Sequence, residues 1–503
     1  MVDKISTLLK ANGPGLTSEL IVALTKAGLS ESAARKRIQR AADQYERFAG
    51  VRFEKNARFI YLKAQYGDQR FWDKFESACY QAGKSYWSTV VTLKARGGVT
   101  PLDLFARVAG APAARKGQLS ADRILERLQK INLLNVIEDG ERKYVCFKPL
   151  HYHRDSLPEL RANELAEGIA LIGVKDWARK IGFGSYGKFA SRYEEKEPLV
   201  SGILWDLTAP SYMRPLVSIR GGRAIPGFIV CDINLRGVIG KAEAEAFIRK
   251  CDLAASPQKV PPILPMLVGH VFESEALTIL KGKGVLAITL GNLFGEELAQ
   301  ALRDLVTMLT DLGAKISGNP DLLPRVINTL SKIQGAADNM LGDLFELVIA
   351  GVVKDIEGGY LKTGEVRTHA ISGQQAEIDV LLDRGNDKGV LVLECKAKKP
   401  NARVSEADIR KWYNNRVPLI YSILSNDGYY TGKPFRFELW SNGSFAQSGL
   451  KWLKEQKTDF DGYSIGWKQA EDLKNYTDKV KNKSLKDMLN EHYFRSALKK
   501  VVE

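Results

Sequence analysis

The chain has 503 residues, enough for about three or four domains at 100–200 residues each. Hydrophobic residues make up 45% and charged residues 26%, which is ordinary for a soluble globular protein. No stretch approaches about 18 uninterrupted apolar residues, which excludes a membrane-spanning helix, so we expect no membrane partner. The net charge of +15 favours a polyanionic partner through counterion release, although a basic protein without such a partner explains the charge equally well.

The cysteines and the N-terminus indicate a cytoplasmic protein. There are five cysteines, an odd number, and no two of them form a CxxC pair. This argues for a reducing compartment and against a disulfide framework or a zinc site. The N-terminal MVDKISTLLK lacks the long apolar core of a signal peptide.

The first 65 residues have the pattern of a winged helix. Thr17–Ala27 carries an apolar stripe, and a Gly-Leu break separates it from a second, basic helix at Ser30–Tyr45. A helix, a short glycine turn and a basic helix are typical of a helix-turn-helix. The strand-like Val51–Phe53 and Phe59–Leu62 resemble a wing. We predict a winged-helix-like DNA-binding domain over residues 1–65.

Four basic residues lie in the first turns of the second helix of this motif. Among Arg35, Lys36, Arg37 and Arg40, both Lys36 and Arg37 share a face with Arg40. We predict that all four contact nucleic acid. The alternative is a small helical domain whose charged residues form a solvated face.

Residues 66–150 repeat the order of helix, helix and hairpin. The helical patterns Pro101–Val108 and Ser120–Lys130 precede a hairpin pattern at Leu133–Phe147, which turns at an Asp-Gly pair. We therefore predict a second helical or winged-helix-like domain. Such domains also mediate protein contacts, so the fold alone would not establish DNA binding.

The middle region, residues 155–318, alternates strands and helices. The apolar segments Phe228–Asp232, Ile263–Val268 and Val285–Thr289 are typical of short strands, with a helix at Glu273–Leu280 between the last two. We predict an α/β domain here.

No nucleotide site is expected in the chain. One GxGxxG match, Gly182–Gly187, follows a helix-like segment rather than a strand, so a glycine turn at a helix end explains it better. No GxxxxGK[ST] loop occurs, and we infer no ATP site.

Residues 377–396, EIDVLLDRGNDKGVLVLECK, are the most informative part of the sequence. The run VLVLEC is apolar on both faces, as in a buried sheet strand. Glu394 and Lys396 are two residues apart on it and share a face, while Asp379 lies on the preceding strand between apolar residues. Charges at the end of a buried strand are costly unless they pair or bind an ion. The pattern therefore suggests a hydrolytic metal site.

This pattern resembles the PD-(D/E)xK nuclease superfamily, the restriction-endonuclease-like fold. The family has helix–strand–strand–strand–helix–strand order, with an acid on the second strand and (D/E)xK on the third. The alternative for the tripeptide alone is a surface ion pair at a strand end, which is worth little energetically. The surrounding sequence has the family's order: a helical Asn339–Glu357 carrying Glu346, a strand-like Tyr360–His369, a helical Ser405–Asn415, and strand-like Pro418–Leu424 and Pro434–Trp440.

The resemblance, which covers about Asn339 to Leu453, implies a multidomain α/β chain with a nuclease domain over residues 319–460. The remaining residues, 461–503, are predicted to form a helical tail.

The resemblance also implies the site. Asp379 and Glu394 would bind one or two Mg²⁺ (or Mn²⁺) ions with a main-chain carbonyl near Cys395, and Lys396 would orient the attacking water. Glu346 would complete the metal shell or position a water, and the role of Glu377 stays open. Arg410 and Lys411, on the following helix, are expected to contact the phosphate backbone.

The implied activity is that of a Mg²⁺-dependent endonuclease acting on DNA, most simply double-stranded. The combination of winged helix and nuclease without a motor suggests a bacterial restriction or antiphage effector. A non-catalytic DNA-binding regulator, a repair nuclease and an RNA-directed nuclease are the alternatives, and a homodimer is also left open.

A second, degraded copy of the nuclease fold is one interpretation of the middle region. Aligning Asp232 with Glu394 places Asn234 where Lys396 stands. Under this interpretation Asp232 ends a central strand, and no second acid completes a metal site. Chance similarity of two α/β units is the rival interpretation.

Overall fold

The computed structural model shows a multidomain α/β chain that divides into two compact units. Unit 1 comprises residues 1–138, 143–156 and 181–289, and unit 2 comprises residues 139–142, 157–180 and 290–503. None of the described helices combines the length and the apolar character needed to cross a bilayer. The structure describes residues 5–48, 50–112, 118–139, 142–148, 156–185, 187–220, 222–257, 260–310, 319, 321–333, 344–398 and 402–494.

The N-terminal part of unit 1 has the predicted helix-turn-helix with a three-stranded sheet, whose strands are ordered β1-β3-β2. Ser30 caps the second helix of the motif by accepting a hydrogen bond from the Ala33 amide at 3.3 Å. The elements are α1 (Ile5–Asn12), β1 (Gly15–Leu16), α2 (Thr17–Lys26), α3 (Glu31–Arg40), β2 (Glu46–Arg47) and β3 (Phe59–Tyr61).

The wing differs from the prediction at Val51–Phe53. This segment is not a strand, and Glu46–Arg47 pairs with β3 instead. Val51 and Phe53 are buried in the hydrophobic core on either side of the exposed Arg52, so the segment keeps the alternating burial of a strand without forming one.

After an additional helix at Gln69–Ala82, residues 84–147 repeat the same order of helix, strand, two helices and two strands, and the strands are again in the order first-third-second, β4-β6-β5. One hydrophobic core joins both winged-helix-like regions. The elements are α4 (Gln69–Ala82), α5 (Lys84–Ala95), β4 (Val99–Pro101), α6 (Phe105–Ala109), α7 (Ala121–Lys130), β5 (Leu134–Asp139) and β6 (Arg142–Phe147).

The rest of unit 1 is built on a five-stranded sheet ordered β15-β14-β13-β10-β7. Strands β7, β10 and β13 are antiparallel neighbours, and β13, β14 and β15 are parallel ones. The elements are β7 (Ala190–Ser191), β8 (Leu199–Val200), β9 (Ile203–Leu204), β10 (Leu207–Ser211), β11 (Ser218–Arg220), β12 (Arg223–Ile225), β13 (Gly227–Ile239), α9 (Lys241–Ala255), β14 (Ile263–Phe272), α10 (Ser274–Gly282) and β15 (Leu286–Thr289).

The three predicted strands of the middle region are present, but the prediction that Asp232 ends its strand is wrong. Strand β13 continues to Ile239, past an irregularity between Asn234 and Val238. The irregularity keeps the later residues paired with β14, so the strand does not stop at the acid.

Unit 2 is built on a six-stranded sheet ordered β16-β17-β18-β20-β23-β22. Strands β16, β17 and β18 are antiparallel, β18, β20 and β23 are parallel, and β22 pairs antiparallel with β23. The strands are β16 (Tyr360–Thr368), β17 (Gln375–Asp383), β18 (Val390–Lys396), β19 (Arg403–Val404), β20 (Phe435–Ser441), β21 (Ser444–Phe445), β22 (Asp459–Phe460) and β23 (Tyr463–Lys468).

Helices on unit 2 reproduce the predicted helix–strand–strand–strand–helix–strand order. Residues 339–343 of the predicted first helix lie outside the described residues. The helices are α8 (Ser156–Lys180), α11 (Leu290–Phe294), α12 (Glu296–Thr310), α13 (Leu322–Leu330), α14 (Phe345–Glu357), α15 (Glu406–Lys411), a π-helical segment (Trp412–Arg416), α16 (Val417–Ser425), α17 (Gln447–Lys454), α18 (Ala470–Thr477), α19 (Lys483–Leu489) and a second π-helical segment (Asn490–Phe494).

Two segment predictions in this unit are wrong. The segment Pro418–Leu424 lies in helix α16, because Val417, Ile420 and Leu424 have helical spacing and are buried in the core beside the sheet. The expected helical tail, residues 461–503, begins with β23, which completes the sheet.

The turn before β18 requires glycine at position 389. Gly389 has a φ of +67°, and a Cβ there would lie 1.9 Å from the Pro434 carbonyl oxygen. We expect Gly389→Ala to destabilise the fold by about 1–3 kcal/mol, measured as a shift in the urea unfolding midpoint. Gly385 is the matched control, since it has a φ of +90° but open space around its Cβ position. Equal losses for the two variants would show that the approach to Pro434 has no effect.

Candidate functional site

The two predicted metal-binding acids lie on adjacent strands. Strands β17 and β18 pair up to Val380 opposite Leu393, so the next residues on each strand are Asp379 and Glu394. Both acids are buried. The Cys395 amide donates a hydrogen bond to Asp379 Oδ2 at 2.7 Å, which fixes that carboxylate against β18.

Two cations contact the buried carboxylate of Glu394. Lys396 Nζ lies 2.7 Å from Glu394 Oε1, and Arg416 Nε lies 3.1 Å from Oε2. The side chains of Lys396 and Arg416 remain 33% and 29% exposed, so the pair is accessible from solvent. Burial works against the charge of Lys396, but Glu394 beside it raises the pKa of the lysine. Lys396 is therefore charged at neutral pH.

Two further glutamates, Glu346 and Glu377, lie near Asp379 and Glu394 and add negative charge to the site. Burial, followed by the charges of Glu377 and Glu394, raises the pKa of Glu346 to about 7, although the residue keeps an exposed surface. Burial and the charges of Glu394 and Glu346 raise the pKa of Asp379 well above its usual value. The acids repel one another, so the site favours an added positive charge.

Arg416 is the residue of this site that the sequence analysis missed. Besides contacting Glu394, its Nη2 donates a hydrogen bond to the Glu377 carbonyl at 2.7 Å. The Glu377 side chain accepts from Arg161 of α8, with 3.3 Å between Arg161 Nη1 and Glu377 Oε1. No local motif marks Arg416. Only the fold brings its π-helical segment to the ends of β17 and β18.

The two basic residues of α15 that are predicted to contact phosphate both lie on the surface. Arg410 donates to Glu406 Oε1 at 2.8 Å and lies 4.4 Å from the centre of the Trp452 ring. Lys411 is exposed. Arg416, on the same helical stretch, contacts Glu394, and the phosphate contacts of Arg410 and Lys411 stay a prediction.

The residues fit an ion that keeps part of its water shell. Within the described ranges, no group of three or more His, Cys, Asp or Glu side chains is close enough to hold a metal ion by itself. The role predicted for Glu346, to complete the metal shell or to position a water, stays a prediction. Mg²⁺ is usually bound through one or two carboxylates and keeps several of its waters. Asp379 and Glu394 can provide the two carboxylates.

The basic residues of α3 form a solvent-facing surface. Arg35, Lys36 and Arg40 are exposed, and Arg37 is half-buried. Arg35 pairs with Glu31 of the same helix at 2.6 Å. The buried residues of α3 are on its other side, so the basic face is available to a partner.

The middle sheet contains a second acid pair, so the expectation that Asp232 has no second acid is wrong. Asp206 precedes β10, and its Oδ2 accepts a hydrogen bond from the Ile233 amide at 2.9 Å. The Asp206 amide in turn donates to Asp232 Oδ1 at 3.3 Å. Strand register brings these acids together across 26 residues, which explains why the sequence alone did not indicate the pair.

No family model matches the chain, and no curated protein matches it. A protein of unknown function, AF1548, is 18% identical over 24% of this chain and 56% of its own, with a TM-score of 0.18. The MspJI restriction endonuclease in complex with a 27-mer oligonucleotide is 15% identical over 39% of this chain and 36% of its own, with a TM-score of 0.17. At these TM-scores neither similarity decides the activity.

Proposed function

We propose that this protein is a metal-dependent endonuclease that hydrolyses DNA phosphodiester bonds at Asp379, Glu394 and Lys396. The observation that carries the proposal is the pairing of two buried acids on adjacent strands with an accessible, charged lysine. Burial of Asp379 beside Glu394 raises the pKa of Asp379, which is unfavourable for its charged form. A simple surface ion pair would not need two acids buried side by side.

Asp379, Glu394 and the main-chain carbonyl of Cys395 would hold the ion. A bound Mg²⁺ or Mn²⁺ supplies a Lewis acid that lowers the pKa of a water and stabilises charge on the scissile phosphate. The Cys395 amide already orients Asp379, so this ligand needs no rearrangement.

The other residues of the site act on charge and position. Lys396, kept protonated by Glu394, would orient the attacking water and offset the negative charge that grows on the phosphate. Arg416 is a positioning residue, because it fixes both the Glu394 carboxylate and the Glu377 backbone. Glu346, with a pKa near neutrality, would accept a proton at the pH of the cytoplasm.

DNA is the proposed substrate because of features outside the site. The net charge of +15 and the exposed basic face of α3 suit a polyanion. The two winged-helix-like regions are a fold that reads DNA in many proteins. With no ATP-site motif in the sequence, a bacterial restriction or antiphage effector is the role we favour.

A cleavage assay on supercoiled plasmid, linear duplex, single-stranded DNA and RNA tests the proposal. We expect cleavage of the DNA duplexes with Mg²⁺ or Mn²⁺ and none with EDTA. DNA binding without cleavage under every metal condition would instead support a non-catalytic regulator. Cleavage confined to RNA would overturn the assigned substrate.

Affinity for the metal should depend on pH. Glu346 and Asp379 have raised pKa values, so lowering the pH protonates them and weakens their attraction for a cation. We expect Mg²⁺ affinity to increase as pH rises through about 7, by at most about tenfold per pH unit for each proton released. Calorimetric titrations in buffers from pH 6 to 8 measure this, and Glu346→Gln should flatten the dependence. A flat profile for the unmodified protein would contradict the assignment.

A further inference from the structure

The middle sheet has the same connections as the sheet that carries the candidate active site. In each, three antiparallel strands are followed by a helical segment and two parallel strands: β7, β10, β13, β14 and β15 in one, and β16, β17, β18, β20 and β23 in the other. The registers agree as well. Leu207 pairs with Cys231 just before the acids of the middle sheet, as Val380 pairs with Leu393.

The acids correspond one to one. Asp206 Oδ2 accepts the Ile233 amide at 2.9 Å, as Asp379 Oδ2 accepts the Cys395 amide at 2.7 Å. Asp232 pairs in register with Leu267 on the next parallel strand, as Glu394 does with Leu439. These relations make Asp206 and Asp232 the counterparts of Asp379 and Glu394.

Protein cations contact every group that would bind an ion in the middle sheet. Lys250 Nζ lies 2.5 Å from Asp232 Oδ2, and Arg192 Nη1 lies 2.9 Å from Asp206 Oδ1. The Ile233 carbonyl, counterpart of the Cys395 carbonyl, accepts a hydrogen bond from Arg96 Nη2 at 2.8 Å. The two carboxylates and the carbonyl are thus paired with protein cations, where a divalent cation would otherwise bind them.

The two sites differ in how far their cations are exposed to solvent. The side chains of Lys250 and Arg192 are only 4% and 1% exposed, against 33% and 29% for Lys396 and Arg416. The cations of the middle sheet are therefore shielded from solvent, and an ion would have to displace a buried ammonium.

The cover over this acid pair comes from the second winged-helix-like region. Arg96 follows α5, and Arg107 of α6 accepts a hydrogen bond from Lys250 Nζ through its carbonyl at 3.3 Å. Gly110 lies against the Lys250 stem, where a Cβ would be 3.4 Å from three of its carbons. Asn234, the counterpart of Lys396, donates to Glu243 at 2.8 Å.

We infer that the middle sheet is a second copy of the candidate nuclease unit in which Lys250, Arg192 and Arg96 occupy the place of the metal ion. The acid pair no longer binds a divalent cation and instead anchors the second winged-helix-like region. The inference rests on the proposed function only in calling the repeated unit a nuclease. Its tests measure metal binding and stability rather than cleavage, so they can fail independently of the proposed function.

The first test uses the full chain with Asp379→Asn, which removes the ion site of unit 2. Manganese chloride is titrated by calorimetry into this protein and into the same protein with Lys250→Met and Asp232→Asn added. The added pair removes both charges of one contact, so the protein should fold. We expect the same weak titration for both. Manganese binding that disappears with the added pair would overturn the inference, because the middle site would then be a working metal site.

The second test adds Lys250→Met alone to the Asp379→Asn protein. This leaves the partly buried Asp232 without its ammonium, so we expect the melting temperature to fall by several degrees and Asp232→Asn to restore most of it. Manganese should raise the melting temperature of the Lys250→Met protein and leave that of the Asp379→Asn protein unchanged. No response to manganese in the Lys250→Met protein would overturn the claim that the lysine stands in for the ion.

Discussion

Replacing Lys396 with alanine should lower the rate of Mg²⁺-dependent DNA cleavage at least about a hundredfold, because removing one transition-state charge typically costs several kcal/mol of barrier. The fold should survive, since Glu394 keeps its contact with Arg416 at 3.1 Å. Single-turnover cleavage of a linear duplex measures the loss directly. DNA affinity, measured separately without metal, should change little.

Matched variants separate a catalytic loss from general damage. Asp379→Asn and Glu394→Gln preserve shape and remove a ligand charge, so each should abolish cleavage to a similar extent. Lys388→Ala is the control, because Lys388 is exposed on the turn between the same two strands. If Lys396→Ala cleaves DNA like the unmodified protein, the site is assigned wrongly.

Reversing the charge of the exposed basic face on α3 should have the second-largest effect, on DNA affinity. Changing Arg35, Lys36 and Arg40 to Glu removes up to three phosphate contacts. It should reduce the slope of log affinity against log salt by about one unit per lost contact. The half-buried Arg37 is left unchanged to protect the fold. Fluorescence anisotropy with a labelled duplex at several salt concentrations measures the slope.

A control with the same change in net charge tests whether the effect is local. Lys479, Lys481 and Lys483 are exposed near the C-terminus, and their change to Glu should leave the salt slope closer to that of the unmodified protein. An unchanged slope in the α3 variant would place DNA recognition on another surface.

The sequence predicted the parts of the site that depend on local pattern. The apolar run before Glu394 identified a buried strand, and two-residue spacing placed Lys396 on the same face. A short apolar run such as Pro418–Leu424 is ambiguous between strand and helix, and that segment was assigned to the wrong class.

Residues that join the acids from a distance could not be predicted. Asp206 reaches Asp232 only through the register of β10 on β13, and Lys250 reaches Asp232 from a helix 18 residues later. Arg416 is similar, because a single basic residue among many in the chain has no local feature that marks its partner.

The π-helical segment Trp412–Arg416 makes the site sensitive to the length of the chain at one place. A π turn contains about one residue more than an α turn, so everything after it is rotated by about 100° relative to an uninterrupted α-helix. The guanidinium that contacts Glu394 is at the end of this segment. Deleting one residue there would let the backbone close into a regular α-helix while turning Arg416 away from the acid. An insertion or deletion at residues 412–416 would therefore be far less tolerated than a substitution at the exposed Asn414 or Asn415.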